Sequence, residues 1–198
     1  DIPAESVYGR LFVTAGTAVG VVAEELTPIG PAYRIWPESA PLRNGITVSL
    51  PWPESGDRGE GLGVYRKRGR SWRWVPATRG GDSIRFETSK LGTFQLMVDT
   101  TPPAVKFRAP SRSGAVRSRT PEIKIFIDDK GSGISGWSAG YNGEWLLMVY
   151  DPEQDLLTWE RDVSLASGSG ELLVRVTDNA GNETVRSMQL TVDRKSVV

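Results

Sequence analysis

The sequence predicts an all-β protein, two antiparallel β-sandwich domains in tandem, on three observations. Short stretches of alternating or β-branched sequence recur between turn residues along the whole chain. No apolar pattern holds a helical period for three turns. Asp99-Thr100-Thr101-Pro102-Pro103 then separates one series of strands from the next. Its prolines lack amide donors and bias their neighbours toward extended backbone, which suits a connector better than a central strand. The expected organisation is a domain at 1–99, a linker at 100–103 and a domain at 104–198. With 198 residues in all, each half is long enough to bury a core of its own.

In the first half the expected strands are 7–13, 18–25, 32–36, 45–50, 62–68, 71–75, 83–87 and 93–98. Eight short strands make a sandwich. Asn44-Gly45, Gly69 between two arginines, and Gly80-Gly81-Asp82 supply turn residues between them. The stretch 51–61 is polar and rich in proline and glycine, and is expected to be a mobile loop.

The second half repeats the style. At 122–128, Ile123, Ile125 and Ile127 share one face while Glu122, Lys124, Phe126 and Asp128 share the other, so the isoleucines are expected in a core. Leu172, Val174 and Val176 alternate in the same way, and Met188, Leu190 and Val192 mark a last strand. Asn142-Gly143 lies between two strand-like runs and predicts a tight hairpin, because both turn positions need positive φ. With further strands at 104–109, 136–141, 145–150 and 156–161 the count reaches about seven, the number of an immunoglobulin-like sandwich.

Asp128-Asp129-Lys130-Gly131-Ser132-Gly133-Ile134, Asn142-Gly143-Glu144-Trp145, Tyr150-Asp151 and Val176-Thr177-Asp178-Asn179-Ala180-Gly181-Asn182 together carry a likeness. This order resembles the immunoglobulin-like modules of bacterial surface and secreted proteins. More narrowly, it is similar to the region that follows the catalytic domain in secreted lysostaphin-like zinc metalloendopeptidases, which cut peptidoglycan. The likeness covers residues 99–192 and reaches the first half through Leu91-Gly92-Thr93-Phe94. That family's catalytic histidines and zinc ligands have no counterpart here, so the resemblance implies a non-catalytic tail.

Composition narrows the chemistry. The 24 basic and 24 acidic residues cancel, with 12 against 11 up to Asp99 and 12 against 13 beyond it, which argues against a general binder of nucleic acid or anionic membrane. Cysteine and histidine are both absent, removing disulfides, thiol nucleophiles, imidazole bases and nearly all transition-metal sites. No apolar run approaches the roughly 20 residues of a membrane span, and no leader opens the chain, so Asp1 is read as the start of a processed or excised fragment. Acid–base catalysis would need two carboxylates facing across a cleft roughly 5 to 10 Å wide. Neighbours such as Glu24-Glu25 or Asp128-Asp129 point to opposite faces of a strand and do not make that pair.

Three groups of residues remain as candidates. In an immunoglobulin-like topology Asp99, Asp128 or Asp129, and Asp178 or Asn182 come together near the domain junction, where carboxylates and carbonyls could bind calcium. The competing reading gives these residues to turns, because Asp and Asn side chains bond nearby amides. Trp72 and Trp74 sit two apart and share a strand face, as a flat platform for sugar rings or as core. Arg66, Lys67, Arg68, Arg70 and Arg73 gather at one expected hairpin, as a polyanion site or as a solvated tip that deters edge pairing.

The expected function is a non-catalytic spacer or accessory region of a larger secreted or cell-envelope protein outside the cytoplasm, with the rest of that polypeptide as first partner. One alternative is a module binding cell-wall glycan through exposed aromatics. Another is an adhesive or assembly protein that offers the edge strand at 184–192 to a second envelope protein.

Overall fold

The computed structural model describes residues 2–18, 23, 25–53 and 60–193. Among them the fold is all-β apart from one short 3₁₀ turn at Ala4–Ser6. The chain divides into two compact units, Asp1–Thr101 with Lys130–Ser132 and Pro102–Asp129 with Gly133–Val198.

The first unit carries β1 (Thr14–Ala18), β2 (Leu26–Trp36), β3 (Pro41–Pro51), β4 (Leu62–Arg68), β5 (Ser71–Val75), β6 (Ala77–Gly80), β7 (Ser83–Lys90) and β8 (Gly92–Asp99). They form a five-stranded sheet, β1-β2-β8-β4-β5, and a three-stranded sheet, β3-β7-β6, both antiparallel. Leu50, Ile84 and Phe86 from the small sheet close on Val64, Phe94 and Leu96 from the large one, which makes the unit a sandwich.

Several expected strands move. No strand forms at 7–13, where Val7 makes a lone bridge to Leu42 and Tyr8 and Phe12 are 73% and 90% exposed. Among the described residues no core faces that alternation, and the first strand is the exposed β1 instead. Of the expected strand at 18–25, residues 19–22 and 24 lie outside the described residues, as do 54–59 of the expected loop. β2 starts six residues earlier than the sequence suggests, because Gly30-Pro31 is absorbed as a bulge between Ile29 and Ala32 rather than ending the strand. β6 was not expected; its polar sequence is held by pairing to β7, Ala77 opposite Phe86.

The second unit carries β9 (Ala104–Ala109), β10 (Gly114–Val116), β11 (Lys124–Asp128), β12 (Ile134–Tyr141), β13 (Glu144–Leu146), β14 (Met148–Asp151), β15 (Leu156–Trp159), β16 (Gly168–Asp178) and β17 (Glu183–Val192). One sheet runs β10-β17-β16-β12-β13 and the other β14-β15-β11-β9. Every pairing is antiparallel except the three-residue contact of β10 with β17. This is the two-sheet arrangement of an immunoglobulin-like sandwich. Ile123, Ile125, Ile127, Leu172, Val174, Val176, Leu190 and Val192 share its core, as their spacing predicts.

The hairpin forms at Asn142 (φ 52°) and Gly143 (φ 85°), with Tyr141 opposite Glu144. The single strand expected at 145–150 is two: β13 belongs to one sheet, and after Leu147 the chain enters β14 in the other. An edge strand that changes sheets keeps its period, so the sequence shows no break there.

Candidate functional site

The acidic residues end or follow strands, and the structure gives their oxygens to loop backbone. In the first unit Asp99 is fully buried at the end of β8. Its Oδ1 accepts from the Thr101 amide at 3.0 Å and its Oδ2 from the Ser132 amide at 2.6 Å. In the second unit Asp178, 2% exposed, closes β16 and accepts from the Asn182 amide and the Asn182 side chain, each at 2.8 Å. Asp129 Oδ2 accepts a short bond from the Gly133 amide. One carboxylate oxygen of Asp129 and one of Asp178 lie within 4.8 Å of each other. Asp128 instead ends β11, where its charge joins those of Asp155 and Asp151 in acting on Tyr150. The Tyr150 hydroxyl is pushed up by burial first and by Asp155 second.

Trp72 and Trp74 do share a face, the one turned away from the sandwich core, yet they do not form an open platform. Trp72 is 5% exposed and packs with Leu26, Tyr65 and Met97 in a second apolar cluster, against which Ala23 and Trp74 also lie. Trp74 meets Tyr65 edge-on at 5.4 Å between ring centres and lies over Gly63, where a Cβ would run into the indole. A sheet with apolar residues on both faces must cover both.

The basic hairpin takes the predicted place, Arg68 pairing with Ser71 across Gly69 (φ 61°). Its setting was not visible in the sequence. Gly69 and Lys67 border a cleft of about 370 Å³ on the outer face of the five-stranded sheet, together with Arg34, Glu38 and Thr93. The Arg34 Nε donates to Glu38 Oε1 at 3.2 Å, and the Thr93 hydroxyl lies 3.5 Å from the same oxygen. Arg34 stands opposite Thr93 on β8 and opposite Gly16 on β1. A second hollow of about 420 Å³ adjoins, sharing Arg34 and Ala18 and bounded by Trp36. Trp36 is 55% exposed. The signal for it was in β2: Tyr33 and Ile35 pack toward the core, so Arg34 and Trp36 must turn the other way.

Two further features lie in the second unit. Trp145 on β13 is 63% exposed, opposite Gly140. On β17, residues 183–189 pair with β16 on one side, and β10 covers only Leu190–Val192 on the other. Arg186 stands opposite the fully buried Val174 yet is itself exposed. Among the described residues no helix is long and apolar enough to cross a membrane.

No protein-family model matches the sequence, and no curated protein matches it. Among solved structures, an endo-beta-1,4-mannanase from Thermotoga petrophila aligns at 13% identity and a TM-score of 0.41, over 49% of this chain and 21% of that enzyme. CopC from Methylosinus trichosporium OB3b aligns at 19% identity and a TM-score of 0.37, over 48% of this chain and all of CopC (100%). Fibronectin(III)-like modules of Clostridium thermocellum CbhA align at 23% identity and a TM-score of 0.34, over 46% of this chain and 96% of theirs. The match thus spans about a fifth (21%) of the mannanase's length, and likenesses at these scores carry no functional argument.

Proposed function

We propose that this chain is a non-catalytic accessory region of a larger protein working outside the cytoplasm, with a peptidoglycan-cutting metallopeptidase as one such parent. The observation that supports this reading is the use made of the buried acids. Asp99 and Asp178 are the buried carboxylates among the described residues, and both direct their oxygens to loop amides rather than across a cleft. General acid–base work needs a group within reach of a substrate proton, and a carboxylate holding loop amides together is committed elsewhere. The purified chain incubated with peptidoglycan is expected to release neither reducing ends nor new amino groups. Sustained release by the purified chain overturns the proposal.

Calcium is a second reading, favoured by the approach of Asp129 to Asp178 within the second unit. Those two carboxylates supply only part of the roughly six to eight oxygens calcium takes. Thermal unfolding with calcium against chelator tests it. A rise in Tm with calcium supports binding to the folded state, and equal melting removes the reading.

A further inference from the structure

We infer that the outer face of the first unit's five-stranded sheet binds a saccharide bearing an anionic group, in the cleft between Arg34 and the basic hairpin. The inference goes beyond the accessory reading and does not depend on it.

Charge comes first. The chain as a whole is neutral, and Arg34 and Lys67 border this cleft with a single acid, Glu38, which pairs with Arg34 at 3.2 Å and leaves Lys67 as the surplus positive charge of the lining. A surplus of one positive charge at a concave place on a neutral molecule fits a discrete anionic group better than a long polyanion, which needs a field along its whole track. Guanidinium and ammonium serve that group as fork and point charge.

The remaining lining suits a sugar. Trp36 offers an exposed indole beside the adjoining hollow, a surface for the C–H face of a pyranose ring. Glu38 and Thr93 place an acceptor and a hydroxyl beside Arg34, as ring hydroxyls require. The two hollows, about 370 and 420 Å³, are of the size small-molecule sites occupy. A larger hollow of about 580 Å³ along β6 and β7 lacks this character: its Arg85 and Glu87 leave no surplus cation like Lys67, and its aromatic residue, Phe86, is buried.

The test is isothermal titration of the full chain with an oligogalacturonate, a soluble peptidoglycan glycan fragment, a neutral cello-oligosaccharide and a single-stranded oligonucleotide, each at low and high salt. At least one acidic saccharide is expected to bind tenfold or more tightly than the neutral one, and to weaken with salt. Trp36→Ala and Lys67→Ala should each lower that affinity tenfold or more with unchanged thermal unfolding, since both side chains are exposed, while Trp145→Ala leaves it as it was. Which acidic probe binds distinguishes a uronate from a wall glycan as the source. The inference is overturned by equal binding of the neutral sugar, by tighter binding of the oligonucleotide, by binding that survives both cleft variants, or by no binding at all.

Discussion

Asn182 holds Asp178 twice: its amide donates to Oδ1 and its side-chain nitrogen to Oδ2, each at 2.8 Å. That double grip turns the chain from β16 into β17, and Asp178 is 2% exposed as it does so. Asp178→Ala leaves the Asn182 donors without their acceptor and should cost about 1–3 kcal/mol in chemical denaturation. Asp178→Asn keeps an acceptor for the amide and should cost less. An alanine variant as stable as the parent would show that the turn holds itself.

Glycine serves two different purposes here, and substitution separates them. Gly143 has open space around its missing Cβ but a φ of 85°, so Gly143→Val should lose about 1–2 kcal/mol through backbone strain alone. Gly143→Asn should lose less, because asparagine tolerates that region. At Gly63 the obstacle is the Trp74 ring, so Gly63→Ala should cost about 1–3 kcal/mol by overpacking. If Trp74→Ala in the same chain does not relieve that added cost, the ring is not the obstacle.

Arg186 is an exposed charge on the part of β17 that β10 does not pair with. A charge on an edge strand makes pairing with another chain costly, because an added strand would strip water from it. Arg186→Val is expected to give self-association that rises with concentration in sedimentation velocity, while the parent sediments as a monomer. A variant that remains monomeric across the same range would deny that cost, and a self-associating parent would revive the assembly reading.

Alkaline pH tests the core of the second unit. The Tyr141 hydroxyl lies 3.3 Å from the Gly168 carbonyl and 3.4 Å from the Leu190 carbonyl, and burial holds its pKa above the ordinary value near 10. A neutral group whose pKa is higher folded than unfolded contributes stability that is present below the unfolded pKa and lost as pH rises through the folded one. Tm should therefore fall more steeply above about pH 10 in the parent than in Tyr141→Phe. Parallel curves for the two would mean that Tyr141 ionises equally in both states.

Much of the fold was legible because a strand writes its two faces into the sequence with a period of 2. Ile123, Ile125 and Ile127, or Leu172, Val174 and Val176, needed no partner to be recognised as core, and Asn142-Gly143 fixed its hairpin through the local demand for positive φ. β4 and β5 fall where turn chemistry on either side places them. Alternation fails where no described residue covers the apolar side, as at the exposed Tyr8 and Phe12.

The candidate sites divide in the same way. That Trp72 and Trp74 share a face follows from their spacing; that Leu26, Tyr65 and Met97 cover Trp72 comes from strands distant in sequence. The basic hairpin was evident, but its place beside Arg34, Glu38 and Thr93 depends on β8 lying between β2 and β4. The sequence by itself determined the all-β class, most strands, their core faces and the missing imidazole and thiol chemistry, because these depend on composition and near neighbours. The tertiary structure alone decided which second face is covered, where an edge strand changes sheets and which charges meet in a cleft, because pairing joins residues whose order along the chain does not reveal their neighbours.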